Sequence, residues 1–164
     1  MITQESLKEI LHYDPVTGIF TWLVAKSMSV KVGMCAGTQV GIGGHVRIKI
    51  DGTSYYAHRL AWLYVHGKWP NGDLDHRNVV KSHNWVANLR EATPSQNRAN
   101  APLRPDNSSG FKGVYWRPER GLWHAQIRKD GKCYHLGYFA AIEAAAEAYR
   151  IAALDLHGEF ARAA

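Results

Sequence analysis

The stretch LDHRNVVKSHNWVANLREATPSQNRAN, residues 74–100, decides how this chain is read. It is polar enough to pass for a loop, yet its acid, imidazole and amide side chains fall close to element boundaries. Asp75 and His76 are adjacent. Neighbours on an extended chain point to opposite faces, so the pair can serve one centre only near a strand end or a local bend. NVVKSHNW then reads as a loop and NLREA as a second short strand. Thr93-Pro94-Ser95-Gln96 carries the signature of a helix start, with Thr93 as N-cap, Pro94 at the first helical position and Gln96 closing a capping box. Asn97 follows in the first turns of that helix, able to look back at the strands.

The rest of the composition bounds what this segment can belong to. A chain of 164 residues, 46% hydrophobic, holds one ordinary folded domain or two small ones. A formal net charge of +6 favours a polyanionic partner, because clustered Lys and Arg bind phosphate by releasing counterions. Cys35 and Cys133 stand far apart, in no CxxC or Cys/His cluster of zinc spacing, so a reduced protein without structural zinc is expected. No run reaches the roughly 18 apolar residues of a membrane span, and MITQESLKEI lacks a basic region followed by an apolar core. A cytoplasmic location, the compartment where the chain is made, is therefore expected.

Working outward, SLKEILHY places Leu7, Ile10 and Leu11 on one helical face before Asp14-Pro15 stops it. GIFTW is a short aromatic strand. HVRIKI alternates strictly, with Val46, Ile48 and Ile50 on one face and His45, Arg47 and Lys49 on the other. The Asp51-Gly52 turn and SYYAHR complete a hairpin over residues 45–58. HRLAWLYVH suits a helix closed by Gly67. APLRPDNSSG lacks periodicity and reads as a linker, residues 101–109, between a unit over residues 1–100 and another over 110–164. That second unit has three short strands, broken at Pro118 to Gly121 and at Asp130-Gly131, followed by an alanine-rich helix. Three strands burying one face on one helix make a small two-layer unit.

Strand with Asp-His, loop, strand with Asn-Leu, and helix with Ser-Gln-Asn together resemble the ββα-metal core of HNH endonucleases, in particular phage and intron-encoded homing-type enzymes. YDPVTGIFTW and YYAHRLAWLYVHGKWP resemble the segment that precedes this core, so the likeness covers most of residues 13–100. It implies that His76 is the general base, that Asp75 and Asn97 hold one divalent cation, and that Asn88 braces the histidine-bearing turn. The chemistry suits these types. Phosphodiester hydrolysis needs a water deprotonated near neutral pH, and imidazole titrates near pH ~6.5. Mg²⁺, with Mn²⁺ as the alternative, takes few protein ligands because it keeps waters and substrate oxygens. The loop departs from the family pattern. Where relatives carry a Gly-Asp pair and Asp-Asn-Arg, this chain has Val79-Val80, His83-Asn84 and Trp85, and Arg77 replaces an apolar residue.

FKGVYWRPERGLWHAQIR, YHLGYF and the alanine-rich helix resemble the AP2 DNA-binding domain over roughly residues 108–160. In that family the three-stranded sheet lies in the major groove. The likeness implies DNA contacts from Arg117, Trp123 and Arg128, with Lys112, Arg120 and Lys132 adding positive charge. Only one of Trp116 and Trp123 is expected outside the core. Tyr115 stands where many plant members have a DNA-contacting Arg, so the target sequence does not transfer.

The expected protein is thus α+β: a ββα-metal HNH core with an N-terminal β-rich extension, plus an AP2-like three-stranded antiparallel sheet packed on one helix. It is expected to be monomeric, to bind double-stranded DNA and no membrane, and to cut DNA with a bound dication. The alternative is a catalytically silent DNA-binding protein of the same architecture. An RNA-binding module finds less support, since no RRM-like signature is present.

Overall fold

A computed structural model describes residues 1–41 and 44–162. The chain divides into two compact units, Met1–Ala92 and Thr93–Ala164.

The first unit opens with α1 (Gln4–Ile10), capped by the Thr3 hydroxyl, which accepts from the Ser6 amide. The expected helix stops earlier than its pattern suggests. Leu11–Tyr13 is β1, paired antiparallel with β2 (Phe20–Trp22), because Leu11 and Tyr13 alternate into the core as a strand does. Next come β3 (Thr38–Val40), β4 (His45–Ile50) and β5 (Thr53–Tyr56), a three-stranded antiparallel sheet. The β4–β5 hairpin turns on Asp51 and Gly52, both at positive φ, which matches the right-handed twist of the flanking strands. The chain enters α2 (Ala57–His66) directly after Tyr56, and Gly67 ends it in the left-handed conformation. Finally β6 (Asp73–His76) pairs antiparallel with β7 (Leu89–Ala92). Asn88 lies just outside β7, at the end of a 3-10 turn, Val86–Asn88. Leu7, Leu11, Tyr13, Phe20, Ile48 and Leu60 are among the side chains of the buried core.

The second unit begins with α3 (Pro94–Asn100), which has the expected capping box: Thr93 Oγ1 accepts from the Gln96 amide and Gln96 Oε1 from the Thr93 amide. The stretch read as a linker has no regular secondary structure, and by contact it groups with this unit. The Asn107 side chain ties its end, accepting from Gly110 N and donating to Phe111 O. β8 (Val114–Arg117), β9 (Leu122–Lys129) and β10 (Lys132–Phe139) form an antiparallel sheet in the order β10-β9-β8, with a bulge between His135 and Gly137. α4 (Ile142–His157) packs Ala145 on Val114 and Ala125. Gly113 permits that approach, since a Cβ there would collide with the Gln126 carbonyl and the Tyr149 ring. Among the described residues no helix is long and apolar enough to cross a membrane.

Candidate active site

The β6–β7 ladder sets the geometry. Asp75 sits directly opposite Arg90, and His76 opposite Leu89. All four side chains are buried. Arg90 holds the Asp75 carboxylate through two nitrogens, Nε and Nη2, each 2.8 Å from Oδ2. Alternation sends His76 the other way, where its ring meets those of His58 at 5.2 Å and His45 at 5.8 Å. Asp75 and His76 thus have separate surroundings although they are neighbours in sequence.

His76 Nε2 lies 3.2 Å from Asn84 Oδ1. The Asn84 amide is oriented because its Nδ2 donates to Ser82 O at 3.0 Å. Nε2 must therefore be the donor, and in the neutral ring the basic lone pair is on Nδ1. Burial lowers the pKa of His76 from its ordinary value, while the Asn84 hydrogen bond and the Asp75 charge partly oppose that. Burial thus favours the neutral ring, the form that can take a proton at Nδ1.

The N-terminal extension holds Asn84 in place. Tyr13 Oη donates to Asn84 O at 2.8 Å, and burial pushes the tyrosine pKa up to about 12, keeping it a donor. Gly18, at positive φ, lets its turn pack on the Asn84–Trp85 backbone, which any Cβ would strike. Asn88 ties the other side of the loop. Its Oδ1 accepts from Asn78 N, and its Nδ2 donates to Asn78 Oδ1 and His83 O, at 2.8 to 3.1 Å. Asn78 in turn directs Nδ2 to His83 Nδ1, so that imidazole braces the loop. The loop carries local strain at Val79, a β-branched residue with φ of 60° whose amide closes a turn on His76 O.

Two histidines flank His76. Burial pushes His58 down to about 3 and His45 down to about 4, with the neighbouring imidazoles and the Lys81 charge acting in the same direction. Together with His76 they form a cluster of three imidazoles on one side of β6.

Residues 55–99 match the family model described as HNH endonuclease. The chain is 33% identical over 106 residues to "Protein 3.8" of Escherichia phage T7, which covers 64% of this chain and 87% of that protein. It is 36% identical over 106 residues to an "Uncharacterized HNH endonuclease" of Acanthamoeba polyphaga mimivirus, covering 63% of this chain and 54% of that one. Residues 55–99 carry an HNH endonuclease domain. The HNH match runs from β5 to α3 and so takes in His58, Asp75, His76, Asn84, Asn88, Arg90 and Asn97. HNH nucleases generally act with a divalent metal.

Of the residues expected at the HNH centre, Asp75, His76 and Asn88 lie together on the first unit's hairpin. Asn97 lies half-buried on α3 of the second unit, with its amide bonded to Thr93 O. A carboxylate such as that of Asp75 and an amide oxygen such as that of Asn97 are each hard donors, of the kind that suits Mg²⁺ or Mn²⁺ better than zinc. Among the described residues no group of three or more His, Cys, Asp and Glu side chains is placed to hold a metal.

In the second unit the register sorts the expected DNA contacts. Tyr115, Arg117, His124, Gln126, Arg128 and Tyr138 share the sheet face turned away from α4. Arg120 stacks its guanidinium over Tyr138 at 4.5 Å. Trp123, expected on the DNA side, instead falls on the α4 side and packs on the core, because it alternates with His124. Its partner Trp116 meets it edge-on at 5.1 Å and is the more exposed of the two. Lys112 also differs from expectation. Its Nζ donates to Ala99 O at 3.0 Å and Arg162 O at 2.8 Å, and burial pushes its pKa down to about 8. It holds the unit's chain ends together. Lys132 is exposed at the β9–β10 turn, opposite Lys129.

Asn84, Arg90 and His58 are the residues that sequence reasoning misses. Arg90 becomes visible once the β6–β7 register is known, and His58 is a polar residue on the buried side of α2. Asn84 has no local signal, since its role depends on an amide orientation.

Proposed function

We propose that this protein is a metal-dependent DNA endonuclease that hydrolyses phosphodiester bonds. The observation that carries this reading is the buried His76, whose Nε2 meets Asn84 Oδ1 at 3.2 Å and so leaves Nδ1 as the proposed base. In the proposed reaction Nδ1 takes a proton from the attacking water, and the positive ring is then favoured by the Asn84 hydrogen bond and the Asp75 charge. Asn88 keeps the 78–83 loop, and with it the histidine-bearing turn, in register. A dication held by Asp75 and Asn97 would neutralise charge on the scissile phosphate and on the leaving oxygen. Mg²⁺ is the proposed ion and Mn²⁺ the substitute.

The second unit, in the same proposal, is an AP2-like module that binds duplex DNA on the free sheet face. Arg117 and Arg128 approach phosphates or guanine edges, and Arg120 and Lys132 add charge at the rim. Three antiparallel strands packed on one helix support this part of the reading. The T7 relative supports action in the cytoplasm of an infected cell.

Plasmid cleavage tests the proposal. Wild type with Mg²⁺ should nick or linearise DNA, EDTA should stop it, and His76→Ala should lower the rate by about 10² or more. Absence of cleavage with every dication tried, or undiminished cleavage by His76→Ala, would sink it.

A further inference from the structure

Arg90 is the least expected neighbour for a carboxylate that is to bind a cation. It pairs with Asp75 across the β6–β7 ladder, and the two side chains are only 8% and 9% exposed. Both guanidinium nitrogens converge on one oxygen, Oδ2. Such a contact fixes the carboxylate's rotamer and at the same time offsets its charge. On the opposite side of β6, beside His76, the Lys81 charge is positive too.

A hydrated dication approaching the DNA-free protein would thus exchange water for an oxygen whose charge is already balanced. Mg²⁺ and Mn²⁺ give up water reluctantly and bind through carboxylates together with substrate phosphates. DNA supplies the missing anionic oxygens. We propose that Arg90 makes metal loading depend on DNA: the dication binds together with the scissile phosphodiester and not to the protein alone. Arg90 is then a positioning residue that keeps Asp75 oriented while preventing a metal-charged, DNA-free nuclease. This inference rests on the reading of Asp75 as a metal ligand.

Mn²⁺ binding, followed by loss of the free-ion electron paramagnetic resonance signal, separates the two ideas without any cleavage. The probe is Mn²⁺ with a short mixed-sequence DNA duplex, measured on His76→Ala protein to preserve the DNA. Protein alone should leave Mn²⁺ free at concentrations where protein plus duplex binds one ion more than duplex alone. Asp75→Asn should abolish that extra ion. Adding Arg90→Gln should tighten Mn²⁺ binding to the DNA-free protein tenfold or more, whereas Arg90→Lys, which keeps the charge, should leave it weak. Equal Mn²⁺ affinity with and without duplex overturns the inference and leaves the metal reading standing. So does Arg90→Gln binding no more tightly than its parent. No extra ion in either state, or an extra ion that survives Asp75→Asn, overturns the metal reading itself. Should Arg90→Gln lose its native circular dichroism, the comparison with and without duplex still decides.

Discussion

The two units treat their polar side chains in opposite ways. In the first, Asp75, His76, Asn84, Asn88 and Arg90 are all buried, and each meets a partner of fixed orientation. In the second, Tyr115, Arg120 and Arg128 lie exposed on or beside an open sheet face. Buried groups cost free energy unless they are paired, and the pairing sets tautomer and position. Solvated cations cost little and can follow a phosphate backbone whatever its sequence. On the proposed reading, the difference would make chemistry and DNA attachment separable, so that each could be broken without the other.

The largest effect is expected from acid. Folded His58 is held at about 3 against 6.5 for the ordinary imidazole. Below about pH 6.5 the unfolded chain takes up a proton that the folded chain refuses. Stability is therefore full above that pH and declines as pH falls toward about 3, by roughly 1.4 kcal/mol per pH unit from this group. Urea midpoints measured across this range should show the decline, and His58→Gln should flatten it. Equal slopes for the two proteins would remove His58 from the account. Next comes Asn84→Ala, which should lower kcat by roughly tenfold to a hundredfold, because the ring loses its orientation. The Asn84 bond raises the His76 pKa, so removing it should also shift the acid limb of the rate profile to lower pH. A rate loss with an unmoved profile would mean that Asn84 serves only the loop.

What the sequence makes legible follows the same division between local and long-range causes. The capping box at Thr93–Gln96, both Asp-Gly turns and the Asp75-His76 strand are set by neighbours within a few residues, and they stand where the pattern puts them. Leu11–Tyr13 follows helical spacing but pairs with β2, so a distant strand overrides the local preference. Lys112 and Trp123 depart from expectation for a related reason. A lysine's positive charge marks it for phosphate until two carbonyls from distant residues claim it, and a tryptophan's face depends on a register that composition does not carry. Arg90 and Asn84 gain their roles only from the folded hairpin and loop. The AP2 likeness rests on aromatic and glycine spacing, and that spacing does not contain the register that sorts Arg117 and Arg128 onto one face.

The sheet face supplies a smaller and cleaner perturbation. Arg117→Ala and Arg128→Ala should each weaken duplex binding about tenfold, and the salt dependence of Kd should fall by about one unit for each phosphate left without its arginine. Cleavage at saturating DNA should be unchanged, since neither residue is among the side chains proposed for the chemistry or the metal. A fall in kcat at unchanged Kd would break the separation between the units. The smallest effect belongs to Val79. Its left-handed φ of 60° is costly for a β-branched residue and less so for Asn, whose short polar side chain tolerates that region. Val79→Asn should raise stability by about 1 kcal/mol in urea unfolding. If the strain only accommodates this loop sequence, cleavage should be unaffected. If the turn is held in tension to aim His76, the stabilised variant should cut more slowly, because the amide of residue 79 closes the turn on the His76 carbonyl.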